Sequence, residues 1–282
     1  MAKLNLEDEK ELKRIAVNIR KNILRMIKAG RSGHVGGALS CTDIMTALYF
    51  KIMRVDPQNP KWRERDRFVL SAGHKCLALY GTLAEKGFFE KSLLDTYGAM
   101  STRLGGHPDM HKLPGVETNT GALGHGLSIA GGMALGLRMD KLDAKVYVVM
   151  GDGELAEGSN WEAAAAISHH KLDNLLAFID RNGLQICGRT VDVMSYEPLD
   201  KRWEAFGWSV RVIDGNDLQQ VYENASAIPF ENGKPSMIIA DTIKAKGLPF
   251  AEDRMDYHYW KATDEQLEIA EQALQQIEEG IA

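Results

Sequence analysis

"GDGELAEGSNWEAAAAISHHKLDNLLAFIDRNGLQI", residues 151–186, begins and ends with the same kind of object. An acidic or amide side chain stands next to a glycine, Asp152-Gly153 and Asn182-Gly183, each directly after an apolar run. The runs Val146–Met150 and Leu175–Ile179 lack the alternation of a half-solvated strand and read as strands covered on both faces of a parallel sheet. The Ala-rich stretch 157–170 between them reads as a crossover helix, which returns the chain parallel to itself and sets the two strand ends side by side. Ligands of open parallel sheets collect beyond the carboxyl ends of the strands. Asp152, Asn182 and a backbone carbonyl just beyond could there share one hard divalent cation, Mg²⁺ or Ca²⁺, and Mg²⁺ completes its octahedron with phosphate oxygens and water. Gly151 and Gly153 remove side chains where backbone N–H groups must approach a phosphate. Either turn alone would be an ordinary turn. Placed together after two buried strands, they ask for a diphosphate.

Outward from this unit the pattern continues. Leu12, Ile15, Ile19, Ile23, Met26 and Ile27 recur at helical spacing, which predicts an amphipathic helix over 5–29. A Gly-rich loop, "RSGHVGGALS" (31–40), follows. Helices are expected at 42–53, 74–86, 124–139, 217–227 and 264–279, and strands at 67–70, 209–213 and 236–240. The last helix carries Leu267, Ala270, Leu274 and Ile277 on one face. Residues 101–120 form a long irregular segment rich in Gly, Pro and His, and loops of that length inside a compact domain are usually functional. Alternating strands and helices predict an α/β fold, a doubly wound, mostly parallel sheet with helices on both faces. Without a linker, repeat or low-complexity tract, the expectation is one domain over 1–282.

Composition narrows the function classes. The 282 residues are 44% hydrophobic and 26% charged, typical of a soluble globular protein. A formal charge of −5 with no basic cluster argues against a nucleic-acid partner. Residues 1–14 are charged and lack an apolar core, and no stretch approaches a membrane span, so a cytoplasmic protein without a membrane partner is expected. Cys41, Cys76 and Cys187, odd in number and without C-x-x-C spacing, suit neither a disulfide framework nor a zinc site and read as reduced, mostly buried side chains. "GALGHG" lacks a preceding strand and a third small residue at Ile129, so it is no dinucleotide fingerprint.

The pair of "GDGELAEG" and "DRNGLQI" resembles the thiamine diphosphate signature, a GDG followed about thirty residues later by an Asn in a turn. With "SGHVGGALS" (32–40), "VLSAGHKCLALY" (69–80), "LGGHPD" (104–109) and "TGALGHGLSIAGGMALG" (120–136), in that order, the chain resembles the N-terminal half of transketolase over residues 10–260. The resemblance implies thiamine diphosphate as cofactor, with Mg²⁺, or Ca²⁺ in its place, bound by Asp152, Asn182 and the carbonyl of Leu184. It implies cofactor contacts from His74, Gly121, Leu123, Gly151, Gly153, Glu154, Lys244 and His258, and sugar contacts from His34, His107 and His258. His34, His74 and His107 would serve catalysis, and Glu157 matches a family glutamate at the subunit contact near the cofactor. Read without the resemblance, each histidine could equally be a surface or capped core residue, and Glu157 a solvated residue at a helix N-terminus. The chain departs from the family at Tyr257-His258-Tyr259-Trp260, where Trp-His-Gly is usual, at Val35 for Pro, at Lys75 for Ala and at His125 for Gln. These departures bear on the sugar more than on the cofactor, since Asp152, Gly153 and Asn182 are untouched.

In the family a second, pyrimidine-binding domain supplies the glutamate that activates the cofactor, and it would follow residue 260. Here one amphipathic helix stands there, so the resemblance implies a split transketolase: this chain with a C-terminal partner subunit, two of each in a heterotetramer, acting on sugar phosphates. A deoxyxylulose-phosphate synthase-like enzyme and a non-catalytic cofactor-binding subunit remain as alternatives. Subunits of 2-oxo-acid dehydrogenases lack the "SGH" and "GGHPD" loops.

Overall fold

The computed structural model describes residues 3–281; Met1, Ala2 and Ala282, the ends of the expected domain and of the charged N-terminal stretch, lie outside the described residues. The chain opens with α1 (Leu6–Gly30), which starts where the Asn5 side chain accepts the Asp8 amide at 2.8 Å and stops at Arg31, in the left-handed region at φ 62°. Next come β1 (Ser32–Gly33), α2 (Val35–Ser40), α3 (Thr42–Ala47), β2 (Arg67–Leu70) and α4 (Cys76–Lys86). After the irregular segment follow α5 (Gly126–Met139), β3 (Val146–Gly151), α6 (Gly158–His169) and β4 (Leu175–Arg181). A ribbon of β5 (Leu184–Gln185) and β6 (Gly188–Arg189) leads through α7 (Thr190–Met194) and α8 (Leu199–Ala205) to β7 (Ser209–Asp214). The chain then runs through α9 (Leu218–Ala225), β8 (Ser236–Asp241), β9 (Trp260–Lys261) and α10 (Asp264–Glu279).

Five strands form one parallel sheet in the order β2-β3-β4-β8-β7. The connection from β4 to the edge strand β7 skips one position, which β8 fills. Alternate residues of the central strands face opposite ways. Tyr147, Val149, Leu176, Phe178 and Ile238 pack on one face with α1, α3 and α4, while Val146, Val148, Met150, Leu175, Ala177 and Ile239 pack on the other with α5, α6 and α8. Two covered faces explain why β3 and β4 are continuous apolar runs, and the fold is the predicted α/β layer architecture.

The departures have physical reasons. Residues 35–40, expected as loop, form the buried helix α2, and its glycines admit close neighbours: a Cβ on Gly36 would lie 2.7 Å from the Tyr257 carbonyl oxygen. Burial there overrides the poor helix propensity of glycine. The helix expected over 42–53 changes at Leu48 to a π turn ending at Ile52, and that over 74–86 begins as a 3₁₀ turn at Gly73–Lys75. On α10, Leu267, Ala270 and Leu274 are buried but Ile277 is exposed. The two-residue strands, α7 and α8 are too short to carry a periodic signal. Cys41 and Cys76 are buried, whereas Cys187 is exposed. Among the described residues no helix is long and apolar enough to cross a membrane.

Phe178 is wholly buried in the centre of β4. Phe178→Ala should lower the unfolding free energy by about 3–5 kcal/mol in urea titrations, and a loss below about 1 kcal/mol would show that the sheet is not the main core.

Candidate functional site

The strand tips carry the predicted pair. Gly151, the last residue of β3, stands opposite Asp180 of β4, so Asp152 and Asn182 leave adjacent strands at almost the same level. The Asp152 carboxylate accepts the Gly153 amide at 2.9 Å through Oδ1, and the Gly183 amide at 2.8 Å and the Thr190 hydroxyl at 3.3 Å through Oδ2. A single carboxylate thus ties one tip to the turn of the other. Gly183 adopts φ 75° with no atom within 4 Å of where a Cβ would stand, so glycine serves the left-handed turn and not a tight contact. Asn182 Oδ1 accepts the Leu184 amide at 3.2 Å, and its Nδ2 lies 3.5 Å from Asp180 Oδ2 and 3.4 Å from Ser40 Oγ. Burial, then the charge of Asp180, push the Asp152 carboxyl above the usual carboxylate range, while Lys75 and the two amides pull it back.

Below this turn Asp180 is completely buried and pairs with Lys75 at 2.6 Å. Desolvation works against the Lys75 ammonium, yet the charge and hydrogen bond of Asp180 hold it above the ordinary lysine value. Glu154 knits the neighbouring loops together: it accepts the Ser71 hydroxyl, the Gly124 amide at 2.8 Å and the Gly151 amide at 3.1 Å, and burial raises its carboxyl against those three donors. Gly73 lets segment 120–123 pass close by, since a Cβ there would lie 2.7 Å from the Gly121 nitrogen.

Opposite the acidic tips lie Lys244 and the histidines. The Lys244 ammonium donates to the Leu184 carbonyl at 2.8 Å and meets His258 Nδ1 at 3.1 Å. Desolvation and the neighbouring Lys75 push it down to about 8. The rings of His34, His74 and His258 form a triangle with centroids 5.2–5.5 Å apart, and Tyr259 packs its ring on His34 at 4.8 Å while its hydroxyl meets Ser32 Oγ at 2.9 Å. The antiparallel pairing of β1 with β9 holds the His258 segment against the His34 loop. Desolvation above all, then nearby positive charge, lowers His74 to about 2 and His258 to about 3, and His34 is lowered by the same causes. At neutral pH these imidazoles are uncharged, each able to donate one N–H and accept at the other nitrogen.

These elements enclose one cleft of about 480 Å³. Of the predicted residues, His34, His74, His107, Gly121, Leu123, Gly151, Asp152, Gly153, Glu154, Asn182, Leu184, Lys244 and His258 all line it. Glu157 does not: it is exposed at the start of α6, outside the cleft lining. Sequence reasoning missed Gln185, Ile186 and Cys187, which wall the cleft from the β5–β6 ribbon, and registered Lys75 only as a departure from the family. A ribbon of two-residue strands gives no pattern to find. A second cleft, of about 450 Å³ between α1, α9 and α10, holds none of the predicted residues.

The fit of an ion and a diphosphate rests on donor chemistry. Among the described residues no cluster of three His, Cys, Asp or Glu side chains is arranged to hold a metal. The available set is one carboxylate, one amide oxygen and the Leu184 carbonyl, all oxygen, as a hard cation requires. A cation already rests on that carbonyl in the form of the Lys244 ammonium. Lys244 offers positive charge to a phosphate. The backbone amides expected to approach one are already taken, Gly151 by Glu154, Asp152 by the Asp180 carbonyl and Gly153 by the Asp152 carboxylate, so the two glycines contribute room there and not free N–H groups.

Residues 12–276 match the family model of the transketolase thiamine diphosphate binding domain. The chain is 47% identical over 262 residues to a subunit of apulose-4-phosphate transketolase from Phocaeicola vulgatus, covering 93% of this chain and 92% of that relative. To the 6-deoxy-6-sulfo-D-fructose transketolase subunit SqwG of a Clostridium species it is 45% identical over 264 residues, covering 94% and 96%. A transketolase variant from Pichia stipitis superposes with a TM-score of 0.86 at 28% identity, over 94% of this chain but 40% of that one.

The histidine triangle makes a pH prediction. A histidine whose folded value lies below its unfolded value of about 6.5 binds fewer protons when folded, so its contribution to stability is complete above about pH 6.5 and is lost as pH falls. Ligand-free protein should therefore show a melting temperature that falls between about pH 6.5 and 5, less steeply in His74→Gln. Equal slopes in the two proteins would contradict a neutral, desolvated His74.

Proposed function

Since this chain belongs to the transketolase family through its thiamine diphosphate binding domain, we propose that it is the diphosphate- and Mg²⁺-binding subunit of a two-chain transketolase. Its reaction moves a two-carbon ketol unit from a ketose phosphate to an aldose phosphate. The subunit reading is supported by relatives named as transketolase subunits, matched over 92% and 96% of their length, and it calls for a pyrimidine-binding partner in a heterotetramer of two plus two chains. The observation that carries the site is the Asp152 carboxylate on the Gly183 amide, which brings the GDG and Asn-Gly motifs together at 2.8 Å.

Asp152, Asn182 and the Leu184 carbonyl would hold the ion, and Lys244 would hold the diphosphate against the side-chain-free wall at Gly151 and Gly153. By accepting from Ser71, Gly124 and Gly151, Glu154 ties together segments that line the cleft and would hold them in place for the cofactor. Bound thiamine diphosphate supplies the nucleophile and the electron sink for breaking the bond beside a ketose carbonyl. The chain's own work is orientation and proton handling. His34, His107 and His258 would grip sugar hydroxyls and the carbonyl oxygen, and a neutral imidazole both donates to an oxygen as charge grows on it and accepts a hydroxyl proton. His74, the most desolvated of the triangle, serves as a fixed neutral donor or acceptor toward the cofactor.

Two outcomes are expected. Asp152→Ala should abolish Mg²⁺-dependent cofactor binding, read by calorimetry on the reconstituted complex, because the only carboxylate of the ligand set is lost; unchanged affinity removes Asp152 from the site. The chain alone should bind thiamine diphosphate weakly and transfer no ketol unit, with activity returning when the partner chain is supplied. Turnover by the isolated chain at an ordinary enzyme rate would refute the two-chain reading.

A further inference from the structure

Beneath the strand tips lies an ion pair with no part in the ligand set above. The side chains of Lys75 and Asp180 are 3% and 0% exposed, and their charged atoms lie 2.6 Å apart. Asp180 Oδ2 also accepts the Ser40 hydroxyl at 2.6 Å, and Oδ1 accepts the Thr242 hydroxyl. The same Oδ2 faces Asn182 Nδ2 at 3.5 Å. Donors from the Gly73–Lys75 turn, from α2 and from the end of β8 thus converge on one carboxylate two positions before Asn182.

This arrangement decides which way the Asn182 amide faces. A carboxylate only accepts, so the neighbouring amide must present its nitrogen to Asp180, and Ser40 Oγ lies on that same side at 3.4 Å. The carbonyl oxygen then points the other way, to the Leu184 amide at 3.2 Å and the turn shared with Asp152. Rotated by half a turn, the amide would set oxygen against carboxylate and nitrogen where an ion needs oxygen.

Asp180 can serve in this way only while its charge is balanced. Lys75 is its only ion-pair partner among the described residues. A buried carboxylate that loses its partner is strongly destabilised. Gly37 makes room for the lysine, since a Cβ there would lie 3.0 Å from Lys75 Cε.

We infer that Lys75 is a positioning residue of the divalent-ion site: it balances Asp180, and Asp180 fixes the Asn182 amide with its oxygen toward the ion. The inference rests on the ion site proposed above. Groups that orient a metal ligand without touching the metal are worth roughly 10–100-fold in metal affinity.

The test titrates Mn²⁺, in the presence of thiamine diphosphate, into the full chain complexed with its partner chain, following free Mn²⁺ by electron paramagnetic resonance. Urea unfolding of the ligand-free chain runs in parallel. Lys75→Met should weaken Mn²⁺ binding on the order of tenfold or more. Lys75→Met combined with Asp180→Asn should recover to within about threefold of the parent, because an amide at 180 needs no cation and its oxygen still accepts from Asn182. If Lys75→Met does not fold, Lys75→Gln, which can still donate to Asp180 but does not balance its charge, takes its place with the same expected loss. A purely structural pair would move the urea midpoint and leave Mn²⁺ affinity unchanged, which overturns the inference. A double variant as weak as the single one overturns it too, since the ammonium would then act on the ligand directly. Failure of the parent protein to bind Mn²⁺ with thiamine diphosphate would instead overturn the ion site itself, a result separate from any difference between variants.

Discussion

The Asp152 carboxylate reaching the Gly183 amide at 2.8 Å is the contact on which the site depends. It requires β3 and β4 to be neighbours, parallel and in a register that puts Gly151 opposite Asp180. That register is set by the apolar faces of the strands. A slip of one residue would turn Val146, Val148 and Met150 to the opposite face and undo both halves of the core. The sheet therefore fixes the distance between two polar side chains that hold no part of the core themselves.

Around that contact the environment is dry and polar together. Asp152, Glu154, Asp180, Lys75 and Lys244 are each at most 8% exposed. Such burial costs stability unless every group finds a partner. Here each finds one, and most partners are backbone amides or hydroxyls on a different loop, so satisfying the charges also locks the loops. The histidines follow another course: burial keeps them neutral, which suits groups that must both give and take hydrogen bonds.

Much of this was legible in the sequence because it rests on long-range repetition of simple signals. The five strands of the sheet and the long helices were visible as apolar runs and 3.6-residue periodicity, and the cleft residues as glycine- and histidine-rich motifs after them. What stayed hidden is short or depends on tertiary contact. The helix Val35–Ser40 contains two adjacent glycines and forms because Tyr257 and Lys75 close over it. The pairing of Ser32 with Lys261 involves two residues at each end. Lys75 carried no sign that its charge would be buried, for only the fold brings it to Asp180, 105 positions away. Glu157, read as a glutamate at a subunit contact near the cofactor, stands exposed at the start of α6 beside the cleft, where a second chain could reach it.

Charge balance in the cleft makes two ligands depend on each other. Three carboxyl groups, on Asp152, Glu154 and Asp180, stand against the ammonium groups of Lys75 and Lys244, and Lys75 is committed to Asp180. Lys244 in turn is spent on the Leu184 carbonyl and on His258. An anion entering alone would meet Asp152 and Glu154 with little free positive charge to offset them, while a divalent ion entering alone would find one carboxylate and two neutral oxygens. On the proposed reading the two would satisfy each other: with the Leu184 carbonyl on an ion, the Lys244 ammonium that now holds it would be free for a phosphate oxygen. Ion and diphosphate would then be linked ligands, each raising the affinity for the other by the same factor, with the Leu184 carbonyl as the group they share.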